Sequence, residues 1–351
     1  MKSFKELAKE LGISNTVVSN VYHDKWRQNH ISEALAKRVK KALELSGTRP
    51  SQAGIQLRTG KSMMVGVLLP DFGMSYWMNI MKGIEGIMTP YNYLMILANT
   101  KLGLMEREAF SSVVSRGVDG IILTPYSSAL KFNRMMKTLG KKIPLVFVDS
   151  SLAGVSIDYV VSNNRRGSFE LVKRMFSAGR KRVAYLGIAS EVSATEERFC
   201  GYLDALELFN KPFDELLVQR ADIGNDRSAE TLDKCLSKAL GNLLSLKSPP
   251  DAIFIESLLH FKNGFEMLAA RKIKVPEEIL IAGFDNFAIN WLSNSNIDPN
   301  SILRAEQDGE AIGKFAASRL KELISMESAE AGNSRLELHV EPKIIIPQSP
   351  D

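Results

Sequence analysis

Apolar residues change their period once along the chain. Near the N-terminus Phe4, Leu7, Ala8 and Leu11 recur at i, i+3, i+4 and i+7, the stripe of an amphipathic helix. Ser3-Phe4-Lys5-Glu6 reads as a capping box, the Ser3 hydroxyl accepting from the N3 amide while Glu6 reaches back to the cap. Gly12 supplies the left-handed residue that ends the helix. Ser14 caps a second helix, in which Val17, Val18 and Val21 face inward and Asn15, Thr16, Ser19, Asn20 and His23 form an open face. A third helix, 32–45, turns Leu35, Ala36, Val39, Ala42 and Leu43 inward and Lys37, Arg38, Lys40 and Lys41 outward, and ends at Ser46-Gly47. Two short helices joined by a glycine turn and followed by a third predict a helix-turn-helix. A generic three-helix mini-domain carries the same pattern.

Beyond Met63 short apolar runs alternate with helical segments. Strands are predicted at 65–70, 93–99, 120–125, 145–149, 159–162, 182–188, 216–219, 252–255 and 279–284, and helices at 77–88, 104–115, 165–178, 195–209, 227–244, 258–271 and 308–325. Such alternation implies parallel sheets covered by helices on both faces. The strands divide into two lobes near 159–163, and ligands of such folds lie in clefts at the carboxyl ends of strands. The expected fold is an all-α helix-turn-helix head plus an α/β body of two lobes.

A length of 351 residues exceeds one ordinary core. Charge separates head from body. Residues 1–61 hold 12 Lys and Arg against 5 Asp and Glu, and the remaining 290 hold 33 against 35, so the net +5 conceals a basic sixth. Clustered cations are the footprint of a nucleic-acid binder, because neutralising phosphates releases counterions; charge alone also fits a solvated helix. The face of the second helix is polar but uncharged, and amide and hydroxyl groups of that kind hydrogen-bond base edges, Asn to adenine above all.

Other chemistries have little support. Two cysteines exclude a disulfide scaffold and a four-cysteine zinc site. Four scattered histidines, with no H-E-x-x-H, G-x-S-x-G, G-x-G-x-x-G after a strand or phosphate-loop motif, point to no metal, no cofactor and no enzyme. No apolar run reaches the roughly 18 residues that cross a bilayer. Charged residues start at Lys2 without an apolar signal region, which implies a cytoplasmic protein without a membrane partner.

Polar and aromatic residues gather at predicted strand ends. Asp71, Tyr76 and Trp77 follow the first strand, Asp149 ends the fourth, Arg198 opens the helix after Leu186-Gly187, and Asp285 ends the last. Aromatic faces with carboxylates and an arginine suit a polyhydroxylated ligand, whose C–H faces stack and whose hydroxyls take bidentate bonds. Taken singly, Asp71 and Asp285 could be helix caps and Trp77 core.

Residues 3–23, with their Ala8, Gly12, Ser14, Val18-Ser19 and Val21 spacing, resemble the head of the lactose-repressor (LacI/GalR) family. Residues 49–60, ending Leu57-Arg58-Thr59-Gly60, resemble its hinge segment. Gly66-Val67-Leu68-Leu69-Pro70-Asp71, 116–123, Val275-Pro276-Glu277-Glu278 and Gly283-Phe284-Asp285-Asn286 are similar to recurrent phrases of its body, so the likeness covers about 340 residues. It implies a head at 1–48, a hinge at 49–61 and a body at 62–351 similar to type 1 periplasmic sugar-binding proteins. It further implies a homodimer on double-stranded operator DNA, with DNA contacts from Ser14, Asn15, Thr16, Ser19, Asn20, His23, Leu57 and Arg58. Arg198 and Asp285 match residues that hold the small-molecule effector. The sequence also departs from the family. Asn20 replaces an arginine, so no operator sequence carries over. The segment from His23 to Ile31 is longer than usual and reads as a solvated loop; Gly54 and Ile55 weaken the hinge helix, Gly by about 1 kcal/mol relative to Ala. Asn163-Asn164 replaces Asp-Asn, Ser75 replaces a proline, and Leu258-Leu259 replaces an Asn-Asp pair that contacts sugar. The reading is a ligand-responsive repressor. Its rival, a solute-binding receptor of the same fold without DNA function, does not account for a capped, basic helix-turn-helix in residues 1–60.

Overall fold

The computed structural model describes residues 2–48, 56, 60–139, 143–190, 192–223, 228–285, 297–326 and 335–347. They form two compact units, Met1–Met64 with Gly117–Asp119, and Val65–Arg116 with Gly120–Asp351.

The first unit holds helices α1 (Phe4–Leu11), α2 (Asn15–Tyr22) and α3 (Glu33–Ser46). The capping box forms, Ser3 N donating to Glu6 Oε2 at 2.7 Å and Glu6 N to Ser3 Oγ at 3.2 Å. Gly12 and Gly47 both take left-handed backbone at the helix ends, φ 67 and 59. The core is Phe4, Leu7, Ala8, Val18, Val21, Ala36, Val39 and Leu43. Val17, expected inward, is only half-buried: a two-turn helix wedged between two partners buries one narrow stripe, and Val18 and Val21 fill it. The segment between α2 and α3 is pinned rather than merely solvated. Trp26 and Ile31 pack on the core, Trp26 Nε1 and Lys40 Nζ donate to Asp24 Oδ1 at 3.1 and 2.7 Å, and Arg27 lies over the Trp26 ring at 4.9 Å.

The second unit has two lobes, each with a six-stranded sheet. The N lobe uses β1 (Met64–Leu69), α4 (Ser75–Met88), β2 (Leu94–Asn99), α5 (Glu106–Ser115), β3 (Gly120–Leu123), α6 (Ala129–Leu139), β4 (Leu145–Val148) and β5 (Asp158–Ser162). The C lobe uses α7 (Asn164–Ser177), β6 (Val183–Ile188), α8 (Ser193–Leu208), β7 (Val218–Ala221), α9 (Ala229–Leu244), β8 (Ala252–Ile255), α10 (Lys262–Ala270), β9 (Leu280–Phe284) and β10 (Leu303–Glu306). Helix α11 (Gly309–Ser325) then packs on α4 in the N lobe, β11 (Glu337–Val340) joins the N-lobe sheet and β12 (Lys343–Ile345) the C-lobe sheet. Strand orders are β11-β5-β4-β3-β1-β2 and β12-β10-β9-β8-β6-β7. Central strands β3, β4, β8 and β9 are buried at every residue, as parallel strands covered on both faces require.

The division at 159–163 therefore needs correction. The chain passes over after β5, returns after β10 and passes again between β11 and β12. Strands β10 to β12 escaped the sequence reading because they are short, and β11 and β12 are edge strands without a buried residue. Helix α6 escaped it because few hydrophobics of its described residues are buried, Phe132 and Met135 among them.

The strand ends that face the cleft share one device in the two lobes. Asp149 follows β4 and Asp285 follows β9, both with left-handed backbone, φ 69 and 72, a conformation that aspartate tolerates better than most residues. Asp149 N donates to Val160 O and Asp285 N to Ala305 O, at 3.2 and 2.9 Å. Each corner turns a carboxylate out of the sheet.

Candidate functional site

A cavity of about 400 Å³ lies between the two lobes of the body, and Asp71, Tyr76, Trp77, Asp149, Arg198 and Asp285 all line it. Asp71 follows β1 and accepts from Gly73 N at 2.7 Å, a local turn that aims its carboxylate. Tyr76 and Trp77 come from the first turn of α4, both buried, with ring centroids 4.8 Å apart. Tyr76 donates its phenol proton to Asp149 Oδ1 at 2.9 Å. Arg198 does not open its helix: it sits more than a turn inside α8. Its Nε donates to Asn164 Oδ1 and its Nη1 to Glu256 O, each at 2.8 Å. The guanidinium lies 4.0 Å over the Phe284 ring and 3.9 Å from Asp285 Oδ2.

Three residues that the sequence reading passed over belong to this network. Gln307, just after β10, donates its Nε2 to Asp285 Oδ1, and its buried Oε1 has no partner among the described residues. Ser257 donates to Asp285 Oδ2 at 3.4 Å. Glu256 ends β8 as Asp149 ends β4, and that same signal could have found it. Its carboxylate is fully engaged by Tyr185 Oη, Ile188 N and Thr195 Oγ1 at 3.1, 2.9 and 2.7 Å.

Burial dominates the electrostatics. It pushes the Asp149 carboxyl up to about 6, against the pull of Arg198 and of the Tyr76 hydrogen bond, with Asp285 adding repulsion. Burial likewise raises Glu256, opposed by its bonds from Ile188 and Thr195, and holds Tyr76 well above the usual phenol range, helped by the charges of Asp149 and Asp285.

On the head, Asn15 and Thr16 are exposed, and Ser19, Asn20 and His23 are half-buried on α2. Ser14 is its N-cap, accepting from Val17 N at 3.3 Å. His23 closes the helix as C-cap, its ring 5.2 Å from Tyr22. Leu57 and Arg58 lie outside the described residues. Among the described residues no cluster of three His, Cys, Asp or Glu could hold a metal ion, and no helix is long and apolar enough to cross a membrane.

Residues 62–335 match the profile of the periplasmic binding proteins and sugar binding domain of the LacI family. The chain belongs to the LacI family of transcriptional regulators. This LacI-family chain is 24% identical over 311 residues to the HTH-type transcriptional repressor CytR of Escherichia coli (strain K12), covering 88% of its own length and 87% of the relative's. It is 26% identical over 345 residues to the HTH-type transcriptional regulator RegA of Clostridium saccharobutylicum, covering 95% and 96%. To catabolite control protein A of Priestia megaterium it is 25% identical over 342 residues, covering 96% of each. These relatives are regulators of transcription, not enzymes. Among solved structures, a transcriptional regulator CelR–cellobiose complex superposes with a TM-score of 0.67 at 20% identity over 100% of both chains. CcpA of Lactococcus lactis gives 0.67 at 23% over 80% of this chain and 96% of that one. Both likenesses are of fold, and the LacI-family architecture of a three-helix head and a two-lobed α/β body is the one that the sequence pattern implies.

Proposed function

We propose that this regulator is a cytoplasmic repressor that binds a palindromic operator as a homodimer, and that a small polyhydroxylated effector in the interlobe cavity sets its affinity for DNA. The observation that carries the reading is the convergence of Asp149 from the N lobe with Arg198 and Asp285 from the C lobe on one cavity. A ligand that touches all three favours one interlobe angle over others, and a ligand shifts an equilibrium only through such differential contact. In a dimer two heads must match the spacing of two half-sites, so a change of lobe angle alters DNA affinity. On the head, Asn15, Thr16 and Asn20 supply base-edge contacts, with Ser14, Ser19 and His23 alongside them. Leu57 and Arg58 extend the contact through the hinge segment 49–61, Leu57 as an apolar minor-groove wedge.

The test is operator titration at one fixed salt concentration, with and without a ligand found by thermal-shift screening, on wild type and Arg198→Ala. Coupling energies of about 1–3 kcal/mol correspond to roughly 5–150-fold changes in operator affinity. Wild type should show such a change. Arg198→Ala should lose it while keeping ligand-free operator binding close to wild type. Equal wild-type affinities with and without a bound ligand overturn the coupled switch.

A further inference from the structure

The cavity is not uniformly polar, and its polar and apolar parts come from opposite sides of the C-lobe sheet. Asp285 follows β9 and Gln307 follows β10, whereas Ile188 ends β6 and Ile223 follows β7. In the sheet order β10-β9-β8-β6-β7 these positions lie at opposite ends. Adjacent strands are about 4.8 Å apart, so roughly 14 Å separate β9 from β7. The cavity is longer than one sugar ring and changes character along its length.

At the β9–β10 side, Asp149, Asp285 and the unpartnered Gln307 Oε1 are acceptors. Arg198, the cation among them, already donates to Asn164 and Glu256. A group rich in O–H or N–H donors is satisfied there. A phosphate or carboxylate there would lie against two carboxylates and compete with Asp285 for the Arg198 guanidinium.

At the β6–β7 side the lining is Ile188, Ile223, Leu232, Leu236 and Leu259. Leu232 and Leu236 are one turn apart on α9 and share a face, and α9 packs on β6 and β7. From the N lobe, Leu102 and Leu104 line the same cavity, with Asn99, Lys101 and Tyr126 also in the lining. Two hydroxyls occur on this side, and both are engaged in local turns: Ser190 Oγ accepts from Val192 N and Ser228 Oγ from Thr231 N, each at 3.2 Å. Against the Ile223, Leu232, Leu236 and Leu259 face a second sugar ring would leave most of its hydroxyls without partners, whereas an apolar group gains by leaving water.

We propose that the effector is a two-part molecule, a compact hydroxyl-rich, non-anionic head joined to an apolar ring-sized group, that is, an aryl or alkyl glycoside rather than an oligosaccharide or a sugar phosphate. This rests on the reading of the cavity as the effector site and names the ligand class for it.

The experiment uses the full chain and matched probes: methyl and phenyl β-glycosides of glucose, galactose, mannose, xylose and ribose, with the disaccharides and phosphates of the same sugars, each titrated by calorimetry. At least one phenyl glycoside should bind about tenfold or more tighter than its methyl partner. Ile223→Asn and Leu259→Asn, both at half-buried positions, should erase that advantage, lowering phenyl-glycoside affinity to that of the methyl partner. A disaccharide or phosphate that binds tighter than the phenyl glycosides overturns the proposal, as does equal binding of phenyl and methyl partners or no binding by any phenyl glycoside. Failure of the underlying reading looks different: a probe binds, but Arg198→Ala binds it equally well.

Discussion

Asp149 is a carboxylate taken out of water and left with one phenol, one neighbouring hydroxyl and a cation that it shares with Asp285. Its native value of about 6 lies above the 3.8 of the free side chain, so between roughly pH 4 and pH 6 the folded state holds more proton than the unfolded one. Stability must then fall as pH rises through that window, and the cost is fully present above it. Asp149→Asn keeps an acceptor for Tyr76 and removes the charge. The ligand-free variant should be more stable than wild type at pH 7 by about 1–3 kcal/mol, and the difference should vanish below about pH 4. Urea unfolding at pH 4, 5.5 and 7 checks this, and a difference that is the same at all three pH values contradicts it. Aspartates at strand ends were visible in the sequence because a charge directly after an apolar run stands out. Gln307 was not, because β10 was not recognised and no strand end was expected there.

At the level of elements, helix packing in the N lobe turns on two glycines. A Cβ at Gly313 of α11 would stand 2.1 Å from the Ile80 carbonyl oxygen of α4, and one at Gly83 of α4 2.2 Å from the Glu310 carbonyl oxygen. Backbone carbonyls cannot swing aside, so the helices must separate. Gly313→Ala should therefore cost about 1–3 kcal/mol of stability. Gly86→Ala, on α4 with nothing within 4 Å, should be neutral or stabilise by up to about 1 kcal/mol through helix propensity. Calorimetric melting of the two variants compares them directly. Helix α2 makes the other test. Asn20→Ala should weaken operator binding by about 1–3 kcal/mol and relax preference at one base pair. An unchanged selected-site profile would show that α2 is not the reading helix.

For the molecule as a whole, the basic sixth of the sequence is the head, and its loop holds cations in place. Arg27 rests over Trp26, which packs on the head core, and Lys25 precedes it on the surface. In the DNA-binding reading these two cations meet phosphates rather than bases. Lys25→Ala and Arg27→Ala should each lower the slope of log affinity against log salt by about 1 while leaving the sequence profile intact. A slope equal to wild type in both variants would return the loop to a purely structural role.

Features that depend on near neighbours in the chain were legible from residue order. Caps at Ser3 and Ser14, glycine ends at Gly12 and Gly47, the central strands and the helix periods are all local, since a cap or a period needs only residues within a few positions. Residue order also placed acids at strand ends, because parallel strands put those ends on one edge. Pairing and packing between distant segments set the rest. Whether the lobes are continuous depended on the short strands β10, β11 and β12, whose pairing comes from distant partners and not from their own pattern. Val17 lost its expected burial because three helices share one small core. The character of the cavity, polar beside β9 and apolar beside β7, follows from sheet order, which is set by pairing between strands far apart in the chain.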